Sequence, residues 1–171
     1  TVRPGVMAPP QPQAGAKAEV ITQEVNLDPG DLMVKLLSFT PQETGGVDIS
    51  QAKVIVAGGR GCRSKEGFDQ LAELADLLGA ELAGTRVAVE EDWIGVERQI
   101  GQTGVTVRPE LYIACGISGA IQHRAGILGS RFIVAINRDA NAPIFSVADY
   151  AIVGDVSKVV PAMVAALKEE R

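Results

Sequence analysis

Short apolar runs alternate with glycine-containing turns and amphipathic segments along most of this chain, and this order most constrains its fold. Residues 53–57 form a largely β-branched run that is apolar on both faces, which is typical of a strand inside a parallel sheet. Residues 58–61 interrupt the run, and a helix then begins with Ser64 as its N-cap. Such strand–helix units with short loops predict an α/β fold, a parallel sheet with helices on both faces.

Four more strands and two more helices are predicted after this first unit. The strands occupy residues 82–89, 111–115, 132–136 and 150–153, and the helices residues 119–127 and 157–170. The first helix is expected to end at Gly79, and the last contains Pro161, which a helix tolerates near its first turn. The predicted buried stripes are Phe68, Leu71, Leu74, Ala75 and Leu78 in the first helix and Val160, Met163, Val164 and Leu167 in the last.

The beginning of the chain differs in composition from the rest. Residues 4–16 are rich in Pro, Gly, Ala and Gln and predict an extended linker. Short strands are predicted at 18–22 and 32–37, and turns at 28–31 and 40–46. We therefore divide the chain into a linker with preamble strands, residues 1–48, and an α/β domain, residues 49–171. Because it begins at Thr1 without methionine, we expect it to be the C-terminal part of a longer protein.

Composition argues against several classes of function. A formal net charge of −5 argues against nucleic acid as a partner, because nucleic-acid-binding proteins usually carry a basic face. No apolar run approaches the length of a membrane span. Cys62 and Cys115 lie too far apart for a CxxC motif, and with a single histidine they do not predict a metal site. We interpret them as buried thiols of a reducing compartment.

Candidate ligand-binding residues follow every predicted strand. In open α/β sheets, ligands bind beyond the carboxyl ends of the strands, so these segments are expected to meet at one edge. The only histidine, His123, ends a Gly/Ser-rich turn that leaves backbone N–H groups free for an anionic ligand. Its imidazole can donate to an electron-rich ring or carbonyl. The segments are residues 58–61, 99–103, 116–123, 137–139 and 154–155.

Each candidate also has a purely structural interpretation. The run Gly58-Gly-Arg-Gly61 matches neither GxGxxG nor the P-loop pattern, so a tight turn explains it as well as a phosphate cradle, although Arg60 suits bidentate phosphate contacts. Arg86 can form a surface ion pair. His123 can be a satisfied buried histidine, and Asp155 can cap the last helix instead of accepting from ribose hydroxyls. The residues themselves leave these alternatives open.

Six runs of the sequence, in order and with matching spacing, resemble one family. They are Val56-Ala-Gly-Gly-Arg-Gly61, Gln99-Ile-Gly-Gln-Thr-Gly104, Pro109-Glu-Leu-Tyr-Ile-Ala114, Gly116-Ile-Ser-Gly-Ala-Ile-Gln-His123, Ile133-Val-Ala-Ile-Asn137, and Ala142-Pro-Ile-Phe145 with Val147-Ala-Asp-Tyr150. Over residues 1–161 the chain is similar to the C-terminal FAD-binding domain of electron-transfer flavoprotein alpha subunits. The resemblance implies that family's Rossmann-like fold, with FAD as the cofactor.

The resemblance also implies which residues bind FAD. Arg60, Thr85 and Arg86 would line the flavin or the pyrophosphate, and Asn137 and Asp155 would hold the adenosine half. An imidazole N–H near flavin O2, or a nearby arginine, would stabilise the negative charge of a reduced flavin. The implied set is Arg60, Thr85, Arg86, Ile100, Gly101, Gln102, Thr103, Ser118, Gly119, Ala120, Ile121, Gln122, His123, Asn137 and Asp155.

The family's function implies an electron carrier rather than a stand-alone enzyme. Such a domain takes electrons from flavin dehydrogenases, such as the acyl-CoA dehydrogenases of fatty acid oxidation, or from NADH, and passes them to a redox acceptor. Some members belong to electron-bifurcating complexes. The implied partner is the beta subunit of a heterodimer, and the implied compartment is the cytoplasm in preference to the mitochondrial matrix. The alternatives are a nicotinamide-nucleotide-binding domain of similar fold and a domain that mainly docks the beta subunit.

Overall fold

A computed structural model of the protein describes residues 48–169 and, before them, residues 15, 17, 19–28, 30 and 34–38. The chain separates into two compact units, residues 1–42 and 43–171, and each is described by itself. The division into a linker with preamble strands, residues 1–48, and an α/β domain, residues 49–171, remains a prediction.

The described residues of the first unit form no β-strand. The predicted strands at 18–22 and 32–37 are therefore wrong wherever they are described, and their remaining residues lie outside the described part. A strand needs a neighbour that accepts its backbone hydrogen bonds, and no ladder joins the described residues of this unit. Val20, Val34 and Leu37 are correspondingly exposed. The turn at 28–31 is described only at Asp28 and Gly30, and the turn at 40–46 lies outside the described residues.

The second unit is built on a five-stranded sheet in which every neighbouring pair is parallel. The order across the sheet is β2-β1-β3-β4-β5, so the chain reverses its direction of winding after β2. This arrangement confirms the predicted α/β fold. The strands are β1 Val54–Gly58, β2 Glu81–Gly84, β3 Leu111–Cys115, β4 Phe132–Asn137 and β5 Tyr150–Val153; the helices are α1 Lys65–Leu78, α2 Arg86–Glu90, α3 Ile121–Arg124 and α4 Val156–Glu169.

The first long helix has the ends that its sequence predicts. The side chain of Ser64 accepts a hydrogen bond from the Gly67 N–H, which satisfies one of the free donors of the first turn. At the other end Gly79 adopts the left-handed conformation with φ +60°, which only glycine adopts without steric cost. Four predicted core positions of α1 are buried, while Leu78 is half-buried.

Alternate residues of the central strands enter two separate cores, one on each face of the sheet. Helices α1 and α4 cover one face, with α2 beside them. The other face is covered by α3, by short 3₁₀ turns and by the loop at residues 99–107. The buried central-strand residues are Val56, Ile113, Cys115 and Ile136 in the first core and Ile55, Ala57, Tyr112, Ala114, Ile133 and Ala135 in the second.

Three sequence predictions in this unit need correction. The predicted helix at 119–127 is shorter, because only α3, Ile121–Arg124, is helical there. The predicted strand at 82–89 ends at Gly84, and its second half forms α2, in which Ala88 is buried against the core of α1 and α4. Tertiary packing here overrides the strand preference of Val87 and Val89. Helix α4 begins at Val156, so Pro161 lies in its second turn and not in its first. The carbonyl that loses its partner there belongs to Ser157, which is exposed and can bond water.

Both cysteines are buried free thiols, as predicted. Burial raises the pKa of Cys62 to about 11 and raises that of Cys115 further, so both remain protonated thiols near neutral pH. Within the described residues, no group of three or more His, Cys, Asp or Glu is placed to hold a metal ion. None of the helices described there has the length and apolarity that crossing a bilayer requires.

Candidate functional site

A cavity of about 550 Å³ lies at the carboxyl edge of the sheet. The segments that follow all five strands contribute to its lining, as expected for the ligand site of an open α/β sheet. The structure therefore brings together most of the residues predicted from the sequence. Those that line the cavity are Arg60, Thr85, Arg86, Ile100, Gly101, Gln102, Thr103, Ser118, Ala120, Gln122, His123, Asn137 and Asp155; Gly119 and Ile121 do not line it.

The first lining segment is a tight turn that packs on the loop after β3. A Cβ at Gly61 would lie 2.5 Å from the Gly116 Cα, and one at Gly59 would lie 2.9 Å from the Gly116 carbonyl oxygen. The Gly61 N–H donates to that same carbonyl oxygen at 2.9 Å. The two glycines therefore allow this turn to approach the backbone of Gly116 closely. Arg60 lies between them on the cavity wall.

The loop after β3 holds several unused backbone donors. No hydrogen bond among the described residues uses the N–H of Ser118, Gly119 or Ala120. Gly119 lets this loop pack closely against Ile144. Its φ is +83°, and a Cβ there would lie 2.3 Å from the Ile144 nitrogen. The Asn137 Nδ2 also braces the loop, donating to the Ile117 carbonyl oxygen at 2.9 Å. The free N–H groups are thus held in place, and they suit an anionic oxygen.

The loop at residues 99–105 presents a threonine hydroxyl to the cavity. Gln99 is buried, and its Nε2 donates to the Thr103 Oγ1 at 3.1 Å. Since Thr103 Oγ1 already accepts this bond, its own hydrogen is left to donate to a ligand. The Gln102 N–H donates to the Gln122 carbonyl oxygen at 2.8 Å and ties this loop to α3. The sequence-based set omitted Gln99, although the residue stands in the quoted motif.

His123 is buried, and both of its ring nitrogens have partners inside the protein. Nδ1 lies 3.1 Å from the Ile100 carbonyl oxygen, and Nε2 lies 3.0 Å from the Tyr112 hydroxyl. Burial lowers the pKa of the imidazole from its ordinary value of 6.5 to about 4, with the Ile100 carbonyl opposing the shift. Both ring nitrogens thus have a partner within the protein, and the donation of a ring N–H to a ligand stays a prediction.

We expect the stability of the folded chain to fall between pH 6.5 and pH 4 because of His123. In this range the unfolded chain binds a proton on the imidazole, whereas the folded chain does not until the pH approaches its lowered pKa of about 4. The loss amounts to at most about 3 kcal/mol. Urea unfolding at several pH values checks it against His123→Gln, which lacks this titration. Parallel stability curves for the two proteins would contradict the expectation.

The cavity lining is cationic in a chain that is acidic overall. Arg60, Arg63, Arg86 and Arg138 line the cavity, against the single carboxylate of Asp155. Arg86 pairs with Glu90 at 2.8 Å, while Arg60 and Arg138 form no ion pair with any described residue. Such a lining suits a ligand with phosphate groups. Arg63 was missed from sequence, and its only signal was its position directly after a glycine turn. Arg138 stands in the candidate segment 137–139 but was not in the implied set of FAD-binding residues.

Asp155 has two structural partners at the cavity edge. Its Oδ1 accepts from the N–H of Ser157 at 3.1 Å and from the Ser157 hydroxyl at 2.9 Å, and its Oδ2 pairs with Arg63. The hydrogen bonds from Ser157 are the main cause that lowers the pKa of the carboxyl, so it is ionised at neutral pH. The helix-capping interpretation is therefore correct, and the ribose role remains a prediction.

One polar atom of the lining is buried without a partner. The Thr85 hydroxyl oxygen has no hydrogen bond in the described structure, and Thr85 lies on the cavity wall next to Arg86. A buried hydroxyl without a partner is unfavourable, so this atom indicates that a ligand supplies the missing bond. A free hydroxyl, free N–H groups and unpaired guanidinium groups together fit a dinucleotide such as FAD.

Comparison with known proteins agrees with this site. Residues 48–128 match the family described as the electron transfer flavoprotein FAD-binding domain. Protein FixB of Clostridium saccharobutylicum is 54% identical over 99% of this chain and 50% of its own length. The electron transfer flavoprotein subunits alpha of Clostridium acetobutylicum and Bacillus subtilis are 51% and 47% identical, over 98% and 99% of this chain and 51% of their own lengths.

The chain thus spans about half the length of the curated relatives that it matches. The similarity includes all the loops that form the cavity, since it covers nearly the whole of this chain. The cofactor of this family is FAD. Residues 48–128 of the chain therefore belong to the electron transfer flavoprotein FAD-binding domain family.

Proposed function

We propose that this chain holds FAD in the cavity at the carboxyl edge of its sheet and carries electrons through it. The observation that carries the proposal is the set of unsatisfied groups in the lining: the buried Thr85 hydroxyl, the free N–H groups of Ser118 and Ala120, and two unpaired arginines, Arg60 and Arg138. Each needs a polar or anionic partner, and FAD offers hydroxyls, a pyrophosphate and ring heteroatoms.

Different residues of the cavity lining suit different parts of FAD. Arg60 and the N–H groups of Ser118 and Ala120 are the groups that suit the pyrophosphate. Asp155 can accept from ribose hydroxyls, since its carboxylate has capacity beyond its bonds to Ser157 and Arg63. The Thr103 hydroxyl, whose oxygen already accepts from Gln99, is the group that can donate to the flavin ring.

Bound FAD supplies the redox chemistry through its isoalloxazine ring. The residues of this chain bind and orient it, exclude water and set the local charge. Cationic side chains such as Arg60 and Arg138 favour added negative charge in the cavity. We assign to the chain the role of an electron carrier that needs partners for both uptake and release.

The names of the relatives support a proposal for the partners. Because several are electron transfer flavoprotein subunits alpha, we propose a beta subunit as the heterodimer partner, a dehydrogenase or NADH as the donor side, and a further redox protein as acceptor. We also place the chain in the cytoplasm, where its two free thiols would stay reduced. Our proposal includes an electron-bifurcating complex as one assembly in which this domain carries electrons.

Titration with FAD tests the proposal directly. Addition of FAD to the flavin-free chain should change the flavin absorbance and fluorescence and saturate at about one FAD per chain. NAD⁺ serves as competitor, since a nicotinamide-nucleotide domain would prefer it. Failure to bind FAD both alone and with an electron transfer flavoprotein beta subunit would contradict the proposal, and tight NAD⁺ binding would favour the alternative.

We expect Asp155→Ala to weaken FAD binding about tenfold, because the ribose would lose a charged acceptor. The matched control is Ser157→Ala, which removes the hydroxyl that bonds Asp155 but keeps the carboxylate in the cavity. Dissociation constants from the same titration compare the two variants. Equal affinity of the wild-type chain and Asp155→Ala would remove this residue from the binding site.

A further inference from the structure

Gln99 is a buried polar residue in the wall of the cavity. Only 8% of it is exposed. Its N–H donates to the Val96 carbonyl oxygen at 3.1 Å, and its own carbonyl oxygen accepts from the Val105 N–H at 2.7 Å. The next residue, Ile100, donates to the Gly84 carbonyl oxygen at 2.9 Å and ties the loop to the end of β2. The side chain of Gln99 therefore starts from a backbone that the sheet holds in place.

The loop turns back over Gln99 and brings Thr103 onto its side chain. The Gly104 N–H donates to the Gly101 carbonyl oxygen at 3.1 Å, which closes a tight turn. A Cβ at Gly104 would lie 2.2 Å from the Gln99 carbonyl oxygen and 3.1 Å from its Cγ, so the close approach depends on glycine. In this geometry the Gln99 Nε2 reaches the Thr103 Oγ1 at 3.1 Å.

The amide nitrogen of Gln99 determines how the Thr103 hydroxyl is used. An amide –NH₂ can only donate, so the threonine oxygen accepts and its own hydrogen points elsewhere. No other hydrogen bond of the Thr103 side chain occurs within the described part of the chain. Thr103 lines the cavity, so its hydrogen is available to a ligand there. A threonine hydroxyl without such a partner rotates and can accept as readily as it donates.

We propose that Gln99 is the positioning residue of Thr103: its amide holds the hydroxyl so that it meets the ligand as a donor. The inference rests on the proposed function, in which the ligand is FAD and the donor serves the flavin ring. The carbonyl oxygens and unprotonated ring nitrogens of oxidised flavin are acceptors, so a hydroxyl fixed as a donor fits them. Orientation before binding also lowers the entropic cost of ordering this side chain when the ligand arrives.

NMR of the flavin-free chain tests the hydrogen bond without the cofactor. The side-chain amide signals of Gln99 are identified by their loss in Gln99→Leu, and one of the two amide protons should resonate downfield as a hydrogen-bonded proton. In Thr103→Val, which keeps the branched shape and removes the hydroxyl, this proton should shift upfield. Identical Gln99 amide signals in the wild-type chain and in Thr103→Val would overturn the proposal.

A double-mutant cycle tests the consequence toward FAD. Gln99 itself lines the cavity, so a direct contact of its amide with the ligand is the competing explanation. We expect Gln99→Leu to weaken FAD binding about fivefold and Thr103→Val about tenfold. The double variant should also lose about tenfold, because the amide acts only through the hydroxyl. Additive losses, about fiftyfold in the double variant, would overturn the positioning role.

The visible absorbance of bound FAD separates positioning from a loss of packing. Its bands in Gln99→Leu should move from their wild-type positions toward those in Thr103→Val, and unchanged bands would overturn the role of the amide. Gln70→Leu is the matched control, since Gln70 is exposed on α1 and does not line the cavity. A wild-type chain that shows the Gln99–Thr103 hydrogen bond by NMR but binds no FAD would refute the proposed function and leave the orientation of the hydroxyl standing.

Discussion

Replacing Gly119 by alanine is expected to lower the free energy of unfolding by about 3 kcal/mol and to weaken FAD binding about a hundredfold. The backbone at Gly119 has φ +83°, which side chains other than glycine rarely adopt. The added Cβ would also lie 2.3 Å from the Ile144 nitrogen, an atom that donates to the Ser118 carbonyl oxygen at 3.0 Å. The loop must therefore move, and the free N–H groups of Ser118 and Ala120 move with it.

Two measurements on this variant separate the effects. Urea unfolding of the flavin-free chain reports the loss of stability, and FAD titration at low temperature reports the loss of affinity in the folded fraction. Gly30→Ala is the control, because a Cβ there meets nothing within 4 Å. A Gly119→Ala chain with the stability and FAD affinity of this control would show that the loop tolerates displacement.

Replacing Arg60 by glutamine is expected to weaken FAD binding between about tenfold and thirtyfold, with no change in stability. Arg60 is exposed on the cavity wall and has no ion pair among the described residues, so the folded chain loses no interaction of its own. The bound pyrophosphate would lose a charged bidentate donor. The affinity of the variant should also depend less on salt concentration than that of the wild type, because one charge contact is missing.

Arg131→Gln is the matched control for this prediction. It removes the same charge at the start of β4, the opposite edge of the sheet, where the guanidinium lies 5.4 Å from the centre of the Phe132 ring. Isothermal titration at two salt concentrations measures both variants. If the two variants lost the same affinity, general charge and not contact with the pyrophosphate would explain the effect.

Much of the fold and of the cavity could be predicted because local patterns encode it. The strands β3 and β5 have the predicted bounds, and α1 has the predicted N-cap and C-cap, Ser64 and Gly79. Apolar periodicity and capping chemistry involve residues within one turn or strand of each other, so they can be read from a short window. The rule that ligands bind at the carboxyl ends of parallel strands then located the candidate site.

Other features depend on contacts between distant parts of the chain. The segment after Gly84 is helical because Ala88 packs into a core formed mainly by α1, α4 and the central strands, although its sequence favours a strand. Residues 19–22 and 34–37 have strand-like sequences but no ladder among the described residues. In each case the deciding partner lies outside the segment, and a local pattern does not identify it.

The sequence by itself determined the α/β order, the glycine turns and the set of residues that gather at one edge of the sheet. Only the tertiary structure decided which partners those residues have within the protein. It gives both nitrogens of His123 a partner, sets Asp155 against Ser157 and Arg63, and leaves the Thr85 hydroxyl without a bond. The physical reason is that hydrogen-bonding state and charge pairing depend on distances in space, and the fold brings together groups that the chain keeps far apart.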